Sequence, residues 1–343
     1  KGYKEVEVDV SGRELKTLRK IPPESGNNLI LTLDVKIQEE VEKLMTGTAE
    51  QNMNGSVVVM KVQTGEIIAI TSKPSFDPNK FAAGISSQNW KALVTDEWHP
   101  LQNRSIHGQY PPGSTYKIVT ALAGLEEGVI NPDTSVFCPG SFKLGRGRYR
   151  CWKKSGHGSM NLHDALVQSC DVYFYTIGHQ LGIDTIAKYA KRFGLGRSTR
   201  LGLSREKKGL VPTTQWKLLN KKEPWQLGET ISAAIGQGFN LVTPIQQLVL
   251  MAAVANGGIL LKPYLIKRIE GPEGQIRKEF FPEIVGQIGV DLDHLEQVRK
   301  ALRDVVNGVR GTGKKSRLKN IIVSGKTGTA QVVRMKSNEE LEK

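Results

Sequence analysis

Gly108-Gln-Tyr-Pro-Pro-Gly-Ser-Thr-Tyr-Lys117 delivers a serine and a lysine three residues apart behind a loop signal. Pro111, Pro112 and Gly113 stop any preceding element, and from Ile118 the apolar positions Ile118, Ala121, Leu122 and Leu125 recur at helical spacing. Ser114 is therefore expected to open a helix. Residues three apart share a helix face, which puts Lys117 within reach of the Ser114 hydroxyl, and the helix N-terminus offers backbone N–H groups to a developing anion. A nucleophile, a base and half an oxyanion hole would follow.

Ser114 as an ordinary N-cap and Lys117 as a solvated lysine is the plainer alternative. The four-residue pattern does not decide, since Ser204 with Lys207 and Ser316 with Lys319 repeat it. Context does. Downstream of Ser114, and in this order, come Ser169-Cys170-Asp171 and then Lys326-Thr327-Gly328 within Val-Ser-Gly-Lys-Thr-Gly-Thr-Ala. Ser-x-x-Lys, Ser-x-Asn and Lys-Thr-Gly together form the signature of penicillin-binding proteins and class A β-lactamases.

With these motifs the chain resembles a class B penicillin-binding protein, most closely the elongation-type penicillin-binding protein 2 branch. Asn103-Arg104, the Tyr110 to Lys117 segment, Ser169-Cys-Asp-Val-Tyr-Phe-Tyr175, Gly236-Gln-Gly238 and Thr243-Pro-Ile-Gln246 all look like family segments. Asp171 stands where most members carry Asn, and it reads as a marker of the elongation branch. The resemblance implies an α+β transpeptidase fold, a central antiparallel sheet flanked by helices.

Composition is compatible with that. The 343 residues are 38% hydrophobic and 24% charged, enough for a large core and unlike a disordered or fibrous chain. No run approaches the roughly 18 apolar residues of a membrane helix, and no signal peptide opens the sequence. In residues 1–27 the alternation of Tyr3, Val6, Val8 and Val10, the turn at Ser11-Gly12 and the resumption through Leu15 and Leu18 predict a hairpin. By resemblance, this is the tail of a pedestal domain, with a membrane anchor expected before it. Residues 28–343 are expected to be the transpeptidase domain, whose last strands and closing helix the resemblance places beyond Lys343, after a charged stretch at 334–343.

Within that domain Leu29, Ile30 and Leu31 predict a strand, and Asp34 a cap for a helix carrying Val35, Ile37, Val41 and Leu44. Gly55-Ser-Val-Val-Val-Met and Glu66-Ile-Ile-Ala-Ile flank the turn at Thr64-Gly65 as a hairpin expected to lie beside a Lys326 strand. Helices are expected over 162–182, 183–193 and 244–256.

Residue by residue, the resemblance implies the following chemistry. Ser114 attacks, and Lys117 serves as base if neutral, a form that burial and the nearby Lys326 cation would favour. Ser169 bridges Lys117 and the leaving nitrogen as a proton shuttle. Asp171 anchors its loop and accepts an amide of the substrate. Lys326 and Thr327 hold a substrate carboxylate, Gly328 leaves room for the substrate backbone, and the N–H groups of Ser114 and Thr329 form an oxyanion hole, each donor contributing about 3–4 kcal/mol. The implied reaction is D,D-transpeptidation of peptidoglycan stem peptides, with β-lactams mimicking the donor and no cofactor needed for catalysis.

An odd count of 3 cysteines argues against a simple paired framework. Cys138, Cys151, His157 and Cys170 form a Cys₃His set suited to tetrahedral zinc, while a Cys138–Cys151 disulfide with a free Cys170 is the alternative. The spacing is not that of a zinc finger. Elongation-type relatives, however, carry a metal site beside the second motif, so the resemblance favours structural zinc. His99, His107, His163, His179 and His294 carry no ligand pattern, and Trp152, Trp216 and Trp225 fit core or lid packing better than a substrate groove.

The excess of 48 Lys plus Arg over 34 Asp plus Glu gives +14. No nucleic-acid motif accompanies it, and a basic face toward anionic lipid and wall polymer at the extracytoplasmic side of the membrane fits better. The expected partner is a polymerising glycosyltransferase of the SEDS type. Two other classes compete: a D,D-carboxypeptidase or β-lactamase passing the acyl group to water, and a non-catalytic morphogenesis scaffold. The pedestal-like start and the lack of an evident deacylating base oppose the first; intact Ser114, Lys117 and Lys326 oppose the second.

Overall fold

The computed structural model describes residues 2–46, 53–82 and 84–330; the charged stretch 334–343 lies outside them. Its organising element is the helix Lys117–Glu126, in which every residue from Lys117 to Leu125 is buried. A helix apolar on all sides belongs inside a bundle. Asp171–Leu181, Ile183–Arg192 and Leu292–Asn307 surround it. Leu292–Asn307 shows how: Leu295, Val298, Leu302 and Val305 form its buried stripe, and its charged residues face water.

The strands Gly55–Met60 and Ile67–Lys73 form the expected hairpin, with Gly65 at φ +84 in its turn. Helices cover both sides. Val35–Thr46, whose first N–H groups Asp34 caps, is tied down by Gln38 and Glu42 bonding to Ile70 and Thr71. On the other side lies Pro244–Ala255, begun by a Thr243–Gln246 capping box with proline at its first turn. Met60, Ile67, Ile106 and Ile245 share a small core there. Asn28–Leu31 pairs with Ile266–Glu270, and the hairpin Tyr3–Val8 with Glu14–Ile21 pairs with itself. Among the described residues the strand ladders are antiparallel, with one isolated parallel bridge between Glu66 and Tyr264. No helix among the described residues is long and apolar enough to cross a membrane.

Two expectations need correction. The helix foreseen over 162–182 is two helices, Leu162–Val167 and Asp171–Leu181, broken where Ser169 adopts φ +54. A left-handed non-glycine residue costs on the order of 1–3 kcal/mol and persists only when its surroundings hold it. Here Lys117 Nζ and Trp152 Nε1 both donate to the Ser169 carbonyl, at 2.9 and 3.0 Å. Second, the segment around Lys326 forms no ladder with the hairpin among the described residues. It is held instead from the end of the Leu292–Asn307 helix: Gly325 N–H donates to Leu302 O at 3.0 Å and Asn307 Nδ2 to Val323 O at 2.8 Å.

Candidate active site

Ser114 lies in a single 3₁₀ turn, Gly113–Tyr116, that feeds directly into the Lys117 helix. Gly113 enters at φ +60 and donates its N–H to Gly236 O at 2.9 Å. Only glycine fits: a Cβ there would stand 2.4 Å from Thr329 O, and a Cβ on Gly236 would stand 2.3 Å from Gly113 O. The three backbones at Gly113, Gly236 and Thr329 are therefore in contact. Gln237 Nε2 closes the group with a 3.0 Å bond to Thr329 O. Ser114 is half-buried at this junction, and the Gly328 backbone passes over Pro112 and Thr115.

Lys117 is fully buried. Its Nζ donates to Ser169 O at 2.9 Å, Ser169 Oγ at 3.1 Å and Asp171 Oδ1 at 2.7 Å. Three acceptors match the three protons of an ammonium, and one of them is a carboxylate. The foreseen Ser114–Lys117 hydrogen bond is thus replaced by an ion pair, because Asp171 is the stronger acceptor. Asp171 anchors its loop as expected but is not turned toward a substrate. Its Oδ2 accepts from Trp152 N–H at 2.9 Å, so both oxygens face protein groups and the buried residue anchors the loop instead of meeting a substrate amide.

Lys326 approaches Ser169 from the other side, its Nζ 3.0 Å from Oγ. Burial, and then the Lys117 charge, hold its pKa down at about 7, opposed by Asp171. The lowered pKa falls on Lys326. With Oγ accepting from two lysines, the Ser169 proton is left to donate elsewhere. Thr327 Oγ1 meets Thr312 Oγ1 at 2.8 Å, and Thr312 N–H donates to Val167 O at 3.3 Å, which joins the third motif to the second.

Thr312 and Trp152 escaped the sequence reading as site residues. The glycines flanking Thr312 in Arg310-Gly-Thr-Gly313 were the one available signal. Trp216 and Trp225 pack on Phe239 at 5.2 and 6.2 Å between centroids. His163 and His294 pair with Asp304 and Glu126.

The structure brings Cys138, Cys151, His157 and Cys170 together, with all their ligand atoms within 4.8 Å of one another and no disulfide. The strands Val136–Cys138 and Gly158–Met160 position the first and third, in register Cys138 with Gly158. His157 Nδ1 is 3.5 Å from both Cys138 Sγ and Cys151 Sγ. Bond lengths of ~2.3 Å to sulfur and ~2.1 Å to nitrogen in a tetrahedron give an edge of about 3.5 Å, so the donors fit a four-coordinate ion. Cys170 is the N-cap residue of the Asp171 helix and follows Ser169, so the cluster and the site share a loop.

The family profile described as penicillin binding protein transpeptidase domain matches residues 55–343. The peptidoglycan D,D-transpeptidase MrdA of Haemophilus influenzae is 37% identical over 344 residues, covering 99% of this chain and 52% of that protein. Among solved structures, Pseudomonas aeruginosa PBP2 in complex with WCK 5153 superposes with a TM-score of 0.81 at 37% identity, over 91% of this chain and 66% of that one. PBP2 of Helicobacter pylori in complex with MreC gives 0.83 at 34% identity, over 96% and 60%. The chain spans about half the length of the curated relatives it matches.

Proposed function

Since the chain belongs to the penicillin-binding protein transpeptidase family, we propose that it is the catalytic part of an elongation-type D,D-transpeptidase that cross-links peptidoglycan stem peptides through a Ser114 acyl-enzyme. The observation that carries this reading is the Ser169 hydroxyl, which accepts from Lys117, 52 residues before it, and from Lys326, 157 residues after it, and so unites the three motifs.

Ser114 Oγ attacks the carbonyl of the penultimate D-alanine. Its O–C bond forms, the C–N bond to the terminal D-alanine breaks, and the proton lost by Ser114 is relayed through Lys117 and Ser169, each taking one proton and passing on one of its own. Ser169, with its own proton free to donate, returns one to the leaving nitrogen. The Ser114 and Thr329 N–H groups stabilise the oxyanion, Lys326 and Thr327 hold the terminal carboxylate, and Gly328 admits the substrate backbone. Asp171 keeps Lys117 and the Ser169 loop in place. An amine of a neighbouring strand then takes the acyl group. β-Lactams acylate the same serine with a leaving group that stays tethered.

Cys138, Cys151, His157 and Cys170 would hold a structural zinc, which when bound closes the loop that carries Ser169; no catalytic step passes through it. The Tyr3–Val8 and Glu14–Ile21 hairpin is read as the tail of a pedestal, residues 28–343 as the transpeptidase domain, and the site of action as the extracytoplasmic face of the membrane. A SEDS-type glycosyltransferase and elongation-complex proteins are its proposed partners; the MreC complex of the Helicobacter pylori relative supports such an assembly.

The test is product analysis with a stem peptide ending in D-Ala-D-Ala and an amine acceptor. Release of D-alanine with formation of the cross-linked amide supports the reading. D-alanine release with only the hydrolysed peptide would assign a carboxypeptidase, and neither product would leave a scaffold.

A further inference from the structure

Between Asp133 and Asp164 the chain has no acidic residue but six cations, Lys143, Arg146, Arg148, Arg150, Lys153 and Lys154. All six are exposed, and none has a carboxylate partner among the described residues. A run of charge is most often a solvated surface. The strand register argues for more here.

Ser141–Leu144 pairs with Gly147–Arg150 so that Phe142 faces Tyr149, and Lys143 faces Arg148. Directly opposed residues share one side of an antiparallel pair. The aromatic side packs on the Asp171–Leu181 helix, with Phe142 and Tyr149 at 6.2 and 5.9 Å from the Tyr175 ring. The other side therefore presents Lys143, Arg148 and Arg150 together to solvent. Like charges directly across a ladder destabilise a hairpin, and neighbouring carboxylates that would relieve them are absent from this stretch. Among the described residues, Arg148 Nε bonds to Ser141 Oγ, at 3.0 Å, and to no carboxylate. A locally unfavourable arrangement held by good packing beneath it is the pattern of a binding surface.

Its position names the ligand. Arg150 O accepts from Tyr175 Oη at 3.2 Å, the next residue is the cluster ligand Cys151, and the one after, Trp152, bonds to Asp171 and to the Ser169 carbonyl. The cationic face is thus joined by hydrogen bonds, two residues away, to the loop of the second motif. The geometry points to this face as a subsite for the carboxylates of a peptidoglycan strand, those along the stem peptides beyond the D-Ala-D-Ala end. The assignment rests on the transpeptidase reading above and deepens it, since a small β-lactam engages only the serine cleft, whereas a strand bearing several carboxylates spans both.

The experiment compares wild type with Lys143→Gln/Arg148→Gln and with the triple variant that adds Arg150→Gln. Removing the opposed like charges leaves the hairpin as stable or more so, which thermal melting checks. Three quantities are measured: the second-order rate of acylation by benzylpenicillin, co-sedimentation with uncross-linked peptidoglycan strands at low and high salt, and co-sedimentation with vesicles containing phosphatidylglycerol. Acylation is expected to stay within about twofold of wild type. Strand binding falls about tenfold at low salt, its salt dependence flattens, and wild type shows the same loss when the strand carboxylates are amidated. Variants that bind strands as wild type does overturn the proposal, as does a loss confined to vesicles containing phosphatidylglycerol, which would make this a lipid-facing surface. Failure of penicillin to acylate wild type is a separate result and sinks the parent reading alone, because strand binding is read without catalysis.

Discussion

Lys326 donates to the Ser169 hydroxyl at 3.0 Å, and burial beside the Lys117 charge holds its pKa at about 7. The cation is therefore fully present only below that pH in the free enzyme. A donor carboxylate selects the cation. The second-order rate constant for acylation by a carboxylate-bearing β-lactam is expected to be flat on the acid side and to fall by about tenfold per unit above pH 7. Lys326→Arg, which stays charged, should remove that descending limb. Stopped-flow acylation across pH 6 to 9, a range of about three units, checks both.

Asp171 is the counter-charge of a lysine with no solvent exposure. Asp171→Ala leaves the Lys117 ammonium buried and unpaired, a loss of about 3–5 kcal/mol in unfolding free energy. Asp171→Asn keeps an acceptor for Lys117 but not for Trp152 N–H as well, and should lose about half as much. Denaturant unfolding of the two variants separates them.

Thr312 Oγ1 sits 2.8 Å from Thr327 Oγ1 and so fixes the hydroxyl that the proposed mechanism gives to the donor carboxylate. Thr312→Val should raise KM for D-Ala-D-Ala substrates by about two- to tenfold with kcat nearly unchanged, and Thr312→Ser should restore it. A change in kcat alone would place Thr312 in the acylation chemistry instead.

The Cys₃His cluster predicts one equivalent of zinc in protein purified without chelators. Cys151→Ser, or removal of the metal, should lower the melting midpoint by about 5 °C or more and slow acylation by about tenfold through the Ser169 loop. Metal analysis and calorimetry on the same sample give the answer; protein without zinc that melts and acylates normally contradicts it.

The legibility of this site divides along chain distance. Ser114, Lys117, Ser169 and Lys326 were readable because the chemistry fixes their residue types in order along the chain, and the Cys₃His set because thiols are scarce. The break at Ser169 was not readable: apolar periodicity runs on through Leu166, Val167 and Val172, and the left-handed turn is held by Lys117 and Trp152, tertiary partners. The charge pairing was hidden for the same reason. Only the fold shows Asp171 turned inward to Lys117 and Trp152, leaving Lys326 as the group with the lowered pKa. The hairpin near Gly55 was legible from its turn and alternation, whereas the placement of the Lys326 segment depends on the end of the Leu292–Asn307 helix, set by bonds from Gly325 and Asn307.

The most direct measurement is intact mass after incubation with benzylpenicillin, followed by peptide mapping, on the wild type and on Ser114→Ala. A single stable adduct of one whole drug molecule on the peptide containing Ser114, absent from the variant, is the predicted result. An adduct elsewhere, or none on folded wild-type protein, would contradict the acyl-enzyme account.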